Sequence, residues 1–202
     1  MNRRYVWMAA LSAALLAGCG ASRPNKYYQL TIPGSVASVA DPSPLPVTLL
    51  LGPLRASHLY REDHIVYSMS GESIGTYQYQ RWGEPPTEML QEVLLRELRA
   101  SDRYRMVDIL RSNSRGDYIL YGRLYDFKEL AGGPLSTRVT IEWEMRETKT
   151  GSTVMTHFFT HDEPANGKDI SAVVAALDRN AQRGVGDVQS VLDQYFSSHS
   201  AN

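Results

Sequence analysis

Cys19 is the only thiol in 202 residues, and it directly follows Leu16-Ala17-Gly18. Small residues ahead of a lone cysteine suit the narrow groove of a signal peptidase. A thiol is also the one nucleophile there able to carry a diacylglycerol thioether. Upstream, Arg3 and Arg4 supply positive charge, and Tyr5 to Ala17 is uncharged and largely apolar, the order of a secretory signal that is cut away. That run falls short of the roughly 20 residues a membrane-crossing helix needs. Residues 1–18 are therefore read as a signal peptide cut between Gly18 and Cys19. The new terminus would carry diacylglycerol on sulfur and an acyl chain such as palmitate on nitrogen. Several chains anchor stably, at about 0.8 kcal/mol per buried CH₂. Gly20, not Asp, follows the cysteine, which resembles the default export signal to the periplasmic face of a Gram-negative outer membrane.

Other residues invite chemistry more weakly. Gly71-Glu72-Ser73-Ile74-Gly75 matches G-x-S-x-G, but a nucleophile elbow needs a helix after the serine. Thr76-Tyr77-Gln78-Tyr79-Gln80 alternates like a strand instead, so a hairpin is favoured over a hydrolase using Ser73. His157 and His161 are four apart; on a strand that is about 13 Å, too far for one zinc ion with ligands near 2 Å. His58 and His64 can approach through a turn beside Asp63, as surface polar residues. His199 has no ligand spacing. No metal, cofactor or catalytic residue is expected, and with one cysteine no disulfide framework exists. Arg96, Arg99, Arg103, Arg105, Arg111 and Arg115 are diluted by Glu97, Asp102 and Asp108 and read as a solvated face, with anionic headgroups or an acidic partner as the alternative. Arg81-Trp82 is either an interface anchor or a core residue stapling the following helix. Trp143 reads as core.

These residues need elements to hold them. Removal of residues 1–18 leaves one domain's length and shifts formal net charge from −1 to −3 by loss of Arg3 and Arg4. Export and that balance argue against nucleic acid. Residues 19–46 read as a Pro/Ser-rich tether with a short strand at Tyr27-Tyr28-Gln29-Leu30-Thr31, and residues 47–198 as a single folded body. Pro46 to Gly52 is an apolar run short enough for an inner strand. Asp117 to Glu129 is a long strand, with Tyr118, Leu120 and Leu124 on one side and Ile119, Tyr121, Tyr125 and Phe127 on the other. Gly132-Gly133-Pro134 turns the chain into Ser136 to Glu147, where Val139, Ile141, Trp143 and Met145 alternate with polar residues. Lys149-Thr150-Gly151 leads to a third strand, Thr153 to His161. One helix starts near Pro85-Pro86 with Leu90, Val93, Leu94 and Leu98 on its stripe. Another runs from an Asp169 cap to Phe196, with Val173, Leu177, Ala181, Val185, Val188, Leu192 and Tyr195 on one side and Gly184 and Gly186 in its middle. The expected fold is α+β, a mostly antiparallel sheet with two amphipathic helices packed on one face.

In this order the segments resemble the ABC-type transport auxiliary lipoproteins, the group of PqiC- and YmbA-like lipoproteins. The resemblance starts at Cys19 and Tyr27-Tyr28-x-Leu30 and continues through Val47 to Leu54, Leu59-Tyr60-Arg61 and Ile65-Val66-Tyr67. It then takes in Arg81-Trp82-Gly83-Glu84-Pro85-Pro86, Asp117 to Phe127, and Ala175-Ala176-Leu177-Asp178-Arg179. Tyr60 and Arg61 are adjacent here, where the family separates them by two residues.

The resemblance implies a non-catalytic accessory of envelope lipid transport. Such a lipoprotein sits on the outer membrane and contacts a periplasm-spanning MCE protein and its ABC transporter, with Tyr60, Arg61, Arg81 and Trp82 as candidate partner contacts. A homo-oligomer is compatible with that role. The alternatives are a lipid carrier with an apolar cavity between helices and sheet, and the Ser73 hydrolase.

Overall fold

The computed structural model describes residues 23–32, 44–70 and 73–199. Gly18, Cys19 and the signal segment lie outside the described residues, as do most of the tether and Gly71 and Glu72 of the G-x-S-x-G match. Eight strands are β1 (Lys26–Tyr28), β2 (Leu45–Ala56), β3 (His64–Ser70), β4 (Ser73–Trp82), β5 (Tyr104–Ile109), β6 (Tyr118–Leu130), β7 (Ser136–Glu147) and β8 (Thr153–Pro164). Two helices are α1 (Pro86–Ala100) and α2 (Ile170–His199). This is an α+β fold with a mixed, mostly antiparallel sheet.

β6 is the axis. β7 pairs with it along one edge and β8 follows, giving the antiparallel meander expected from alternation. Along its other edge β6 is paired in tandem, by β2 over its first half and β3 over its last residues, both parallel. β5 lies parallel beyond β2, while β4 and then β1 lie beyond β3. Leu49, Leu50 and Leu51 form an unbroken buried run, as an inner parallel strand requires.

Both helices cover the same sheet face, α1 against β2 and β5, α2 against β6, β7 and β8. α1 begins at Pro86, whose missing N–H is one the first turn leaves unused. Its stripe Leu90, Val93, Leu94 and Leu98 is buried. α2 is capped by Asp169, whose Oδ1 accepts the Ala172 N–H at 3.0 Å. Val173, Leu177, Ala181, Val185, Val188 and Leu192 are buried beneath it. Asn180 is buried among them and donates to the His161 carbonyl at 2.8 Å, tying helix to strand.

Two expectations change. Alternation puts Phe127 on the side of Tyr121 and Tyr125, yet it is 1% exposed and packs on Trp82 with ring centroids 5.5 Å apart. The pairing Leu124↔Ile141 is followed by Asp126↔Thr140, so Tyr125 is an extra bulged residue and every later side chain of β6 changes face. The segment after β1 is also more than tether. Leu30 is buried, the Thr31 N–H donates to Asp178 Oδ1 at 2.8 Å, and Gln182 Nε2 donates to the Thr31 carbonyl at 2.8 Å.

The two α2 glycines separate cleanly. A Cβ at Gly184 would sit 3.0 Å from the Phe159 ring, whereas one at Gly186 would meet open space. Gly186→Ala is expected to stabilise by about 0.5–1 kcal/mol through helix propensity. Gly184→Leu should destabilise by roughly 1–3 kcal/mol through overpacking. Thermal and urea melts of both variants check the opposite signs.

Arg179 holds the Glu163 carboxyl below its ordinary 4.5, against the opposing effect of burial and with Arg183 assisting. The folded value lies below the unfolded one, so the contact stabilises above about pH 4.5 and is lost as pH falls through the lowered value. Arg179→Met should cost roughly 0.5–1 kcal/mol at pH 7, allowing for solvent screening. At pH 3 it should cost less, as read from urea midpoints at both values.

Candidate functional site

The segments carrying the family resemblance converge on one corner. Tyr60 is 2% exposed and Trp82 fully buried. Burial, then the negative charge of Asp126, push the Tyr60 hydroxyl up to about 12. Both are therefore core residues; of the four proposed contacts, Arg61 is exposed and Arg81 half-buried. Arg81 Nη1 donates to Asp63 Oδ1 at 2.8 Å and lies 3.1 Å from His64 Nε2. That nitrogen must accept, which leaves His64 Nδ1–H facing Glu62 Oε2 at 3.1 Å. His58 Nε2 meets the other Glu62 oxygen at 3.0 Å. The two histidines thus do approach through the turn, joined by one carboxylate.

The remaining candidates are separated. Ser73 opens β4, a strand, and its carbonyl accepts the Ser68 hydroxyl at 2.9 Å; no helix follows it. His157 pairs with Asp187 of α2, and His161 with Glu163 at 3.4 Å. Among the described residues, no group of three or more His, Cys, Asp or Glu is placed to hold a metal ion. His199 stacks on Tyr195 at the end of α2. In the arginine series, Arg96 pairs with Glu92, Arg99 with Asp108, Arg103 with Asp193 and Arg105 with Asp117, consistent with a solvated face.

The sheet face opposite the helices holds a different cluster. Arg55 of β2 stands directly beside Arg123 of β6 in the parallel register. Like charges in directly opposed positions destabilise a sheet. Arg61, just past a 3-10 turn at His58–Tyr60, lines the same open groove of about 640 Å³, with Leu54, Ala56, Leu124 and Tyr125. Arg123 lies over the Tyr125 ring, 5.9 Å from its centroid. A smaller cavity of about 240 Å³ shares Arg55 and Arg123 with this groove and adds Tyr121, Glu142, Glu144 and Arg146.

Neighbouring acids have other partners too. Glu62 holds the two histidines, Asp126 pairs with Lys128 at 2.6 Å, and Glu144 pairs with Arg146 at 2.6 Å. Glu142, in register with Arg123 from β7, accepts the Tyr125 hydroxyl at 2.8 Å; that bond raises the tyrosine's pKa and keeps it a donor. Sequence reading singled out Arg61 alone of the three arginines. Arg55 and Arg123 each sit at an outward strand position, and only the nonlocal β2–β6 register brings them together.

The Asp63–Arg81 contact should pin the turn that enters β3. Asp63→Ala and Arg81→Ala are each expected to lower the melting temperature. A double-mutant cycle should return coupling of about 0.5–1 kcal/mol, the range of a partly exposed hydrogen-bonded pair. Strict additivity would show the contact to be incidental.

The chain's sheet and helices superpose on the protein XCC0632 from Xanthomonas campestris with a TM-score of 0.76 at 19% identity, covering 88% of this chain and 100% of that one. An uncharacterised protein gives 0.66 at 13%, covering 84% and 99%. The hypothetical protein CT253 from Chlamydia trachomatis gives 0.52 at 8%, covering 75% and 98%. Identities this low establish shared fold alone. Among proteins with curated descriptions, none matches the chain. Residues 28–188 match the family described as ABC-type transport auxiliary lipoprotein component. That span takes in the folded body from Tyr28 to late α2, so the chain belongs to the family of ABC-type transport auxiliary lipoprotein components.

Proposed function

We propose that this protein is a non-catalytic adaptor of an envelope lipid-transport system, tethered through acylated Cys19 to the periplasmic face of the outer membrane and docking a periplasm-spanning MCE protein. The observation that carries this reading is the family match over residues 28–188, joined to a lone cysteine behind Leu16-Ala17-Gly18. Among the described residues no helix is long and apolar enough to cross a membrane. The layer between helices and sheet is filled by side chains, with Leu51, Leu94, Leu120, Met145 and Leu192 all at most 2% exposed. That packing favours an adaptor over a carrier holding an acyl chain there.

The test uses tagged full-length protein in its native envelope. Wild type should incorporate an alkynyl palmitate analogue and fractionate with outer membrane. Cys19→Ser should lose the label and remain uncleaved. Detergent-extracted wild type should co-purify an MCE-domain protein. A wild type that takes no acyl label, or that brings down no MCE-domain protein, overturns the proposal.

A further inference from the structure

We propose that the groove bounded by Arg55, Arg61 and Arg123 is a binding site for the phosphate of an anionic glycerophospholipid headgroup. The inference rests on the reading of this chain as membrane-tethered and names a ligand for its uncovered face.

Two arginines side by side on adjacent strands are a standing cost to the fold. Arg55 and Arg123 are in that position, a third arginine opens onto the same groove, and the one carboxylate in register, Glu142 beside Arg123, offsets only part of that charge while it also accepts the Tyr125 hydroxyl. Guanidinium groups are planar forks that grip phosphate oxygens two at a time. An anion seated among the three turns the repulsion into attraction.

The walls identify what is attached to that anion. Half-buried Ala56 and the exposed ring of Tyr125 give the groove its apolar surface, above the buried Leu54 and Leu124. Phe158 is 57% exposed with its ring centroid 6.2 Å from that of Tyr125. A free phosphate ion would leave this apolar surface unused, and about 640 Å³ is the scale of a small-molecule site, not of one ion. A glycerophospholipid brings charge and hydrocarbon together at the glycerol. An acidic peptide fits less well, because a segment extended along the face would next meet Glu142 and Glu144.

Cys19 precedes Arg23 by four residues, at most about 14 Å of chain. Arg23 itself lies over the Tyr79 ring at 5.9 Å. Acylation at Cys19 therefore holds the body within reach of headgroups.

The test is calorimetric titration of full-length lipidated protein in dodecylmaltoside with dihexanoyl phosphatidylglycerol, dihexanoyl phosphatidylcholine, inorganic phosphate and a glutamate-rich peptide. Phosphatidylglycerol should bind at least 10-fold more tightly than phosphatidylcholine or phosphate. Arg55→Gln and Arg123→Gln should each weaken it at least 5-fold with melting temperature unchanged or raised, while Arg96→Gln, on the far helix face, leaves it unaltered. Equal binding by all variants overturns the site. Phosphate binding as tightly as the lipid assigns the groove to a free ion and overturns it. Peptide binding without lipid binding assigns it to an acidic protein and overturns it. Absence of an MCE partner from wild type, with phosphatidylglycerol still bound by these arginines, sinks the adaptor reading and supports this one.

Discussion

A thirteen-residue strand paired along both edges must settle every backbone N–H and C=O it buries, and β6 does so against three different strands. Its register fixes what stands in each row of the core. Leu51, Leu120 and Met145 line up across β2, β6 and β7, and Leu54, Gly122 and Trp143 form a following row. Gly122 is required there, because a Cβ would fall 2.4 Å from Leu54 and 2.7 Å from Trp143. Leu124, Ile141 and Phe159 then carry the sequence out to β8, where Phe159 meets Gly184 of α2. A slip of one residue would turn all of these to the wrong face. The same register stands Arg55 beside Arg123, so the core and the arginine groove are two faces of one alignment.

Where structure follows from neighbours in sequence, the chain is readable. The alternation of Val139, Ile141, Trp143 and Met145 places β7 because sheet faces repeat every two residues, and all four are buried. The stripes of α1 and α2 follow from helical period, and Asp169 caps where a side-chain oxygen can reach a free N–H. Phe127 was misplaced because a bulge adds one residue to the count, and nothing in Leu-Tyr-Asp-Phe announces it. The short strand at residues 27–31 is legible from composition, but its attachment to the body is not, because its partners lie far along the chain on β4 and α2. The site divides in the same way. Cys19 is proposed from the sequence alone, since processing signals are linear, and Arg61 stands in a motif. Arg55 and Arg123 are 68 positions apart and meet through parallel pairing, which alternation within either strand cannot reveal.

The motif residues themselves serve the fold. Asp63 is engaged twice, through its carbonyl by the Trp82 N–H and through its side chain by Arg81. The Gly83 N–H reaches back to the Tyr28 carbonyl at 2.7 Å, and Trp82 packs on Phe127. Segments beginning near residues 28, 60, 82 and 118 are thereby locked together where β3, β4 and β6 adjoin. Resemblance concentrated in such a corner identifies a shared architecture more directly than a shared ligand. A binding surface is better placed on the opposite face, where side chains are free of packing duties.

The proposed anchor and the proposed groove reinforce each other through geometry. β1 is hydrogen-bonded to β4, and the Thr31 backbone is gripped by two side chains of α2, so tension on an acylated terminus passes into the sheet. With three residues between Cys19 and Arg23, a body acylated at Cys19 cannot drift far from the bilayer surface. Exposed arginines bind a single phosphate weakly, and a dissociation constant of about 1 mM corresponds to only about 4 kcal/mol. Short tethers supply effective concentrations on the order of millimolar, which suffices to occupy a site of that strength. A groove that holds a free headgroup only weakly thus becomes an orienting contact once the chain is tied to the membrane, and its weakness lets headgroups exchange.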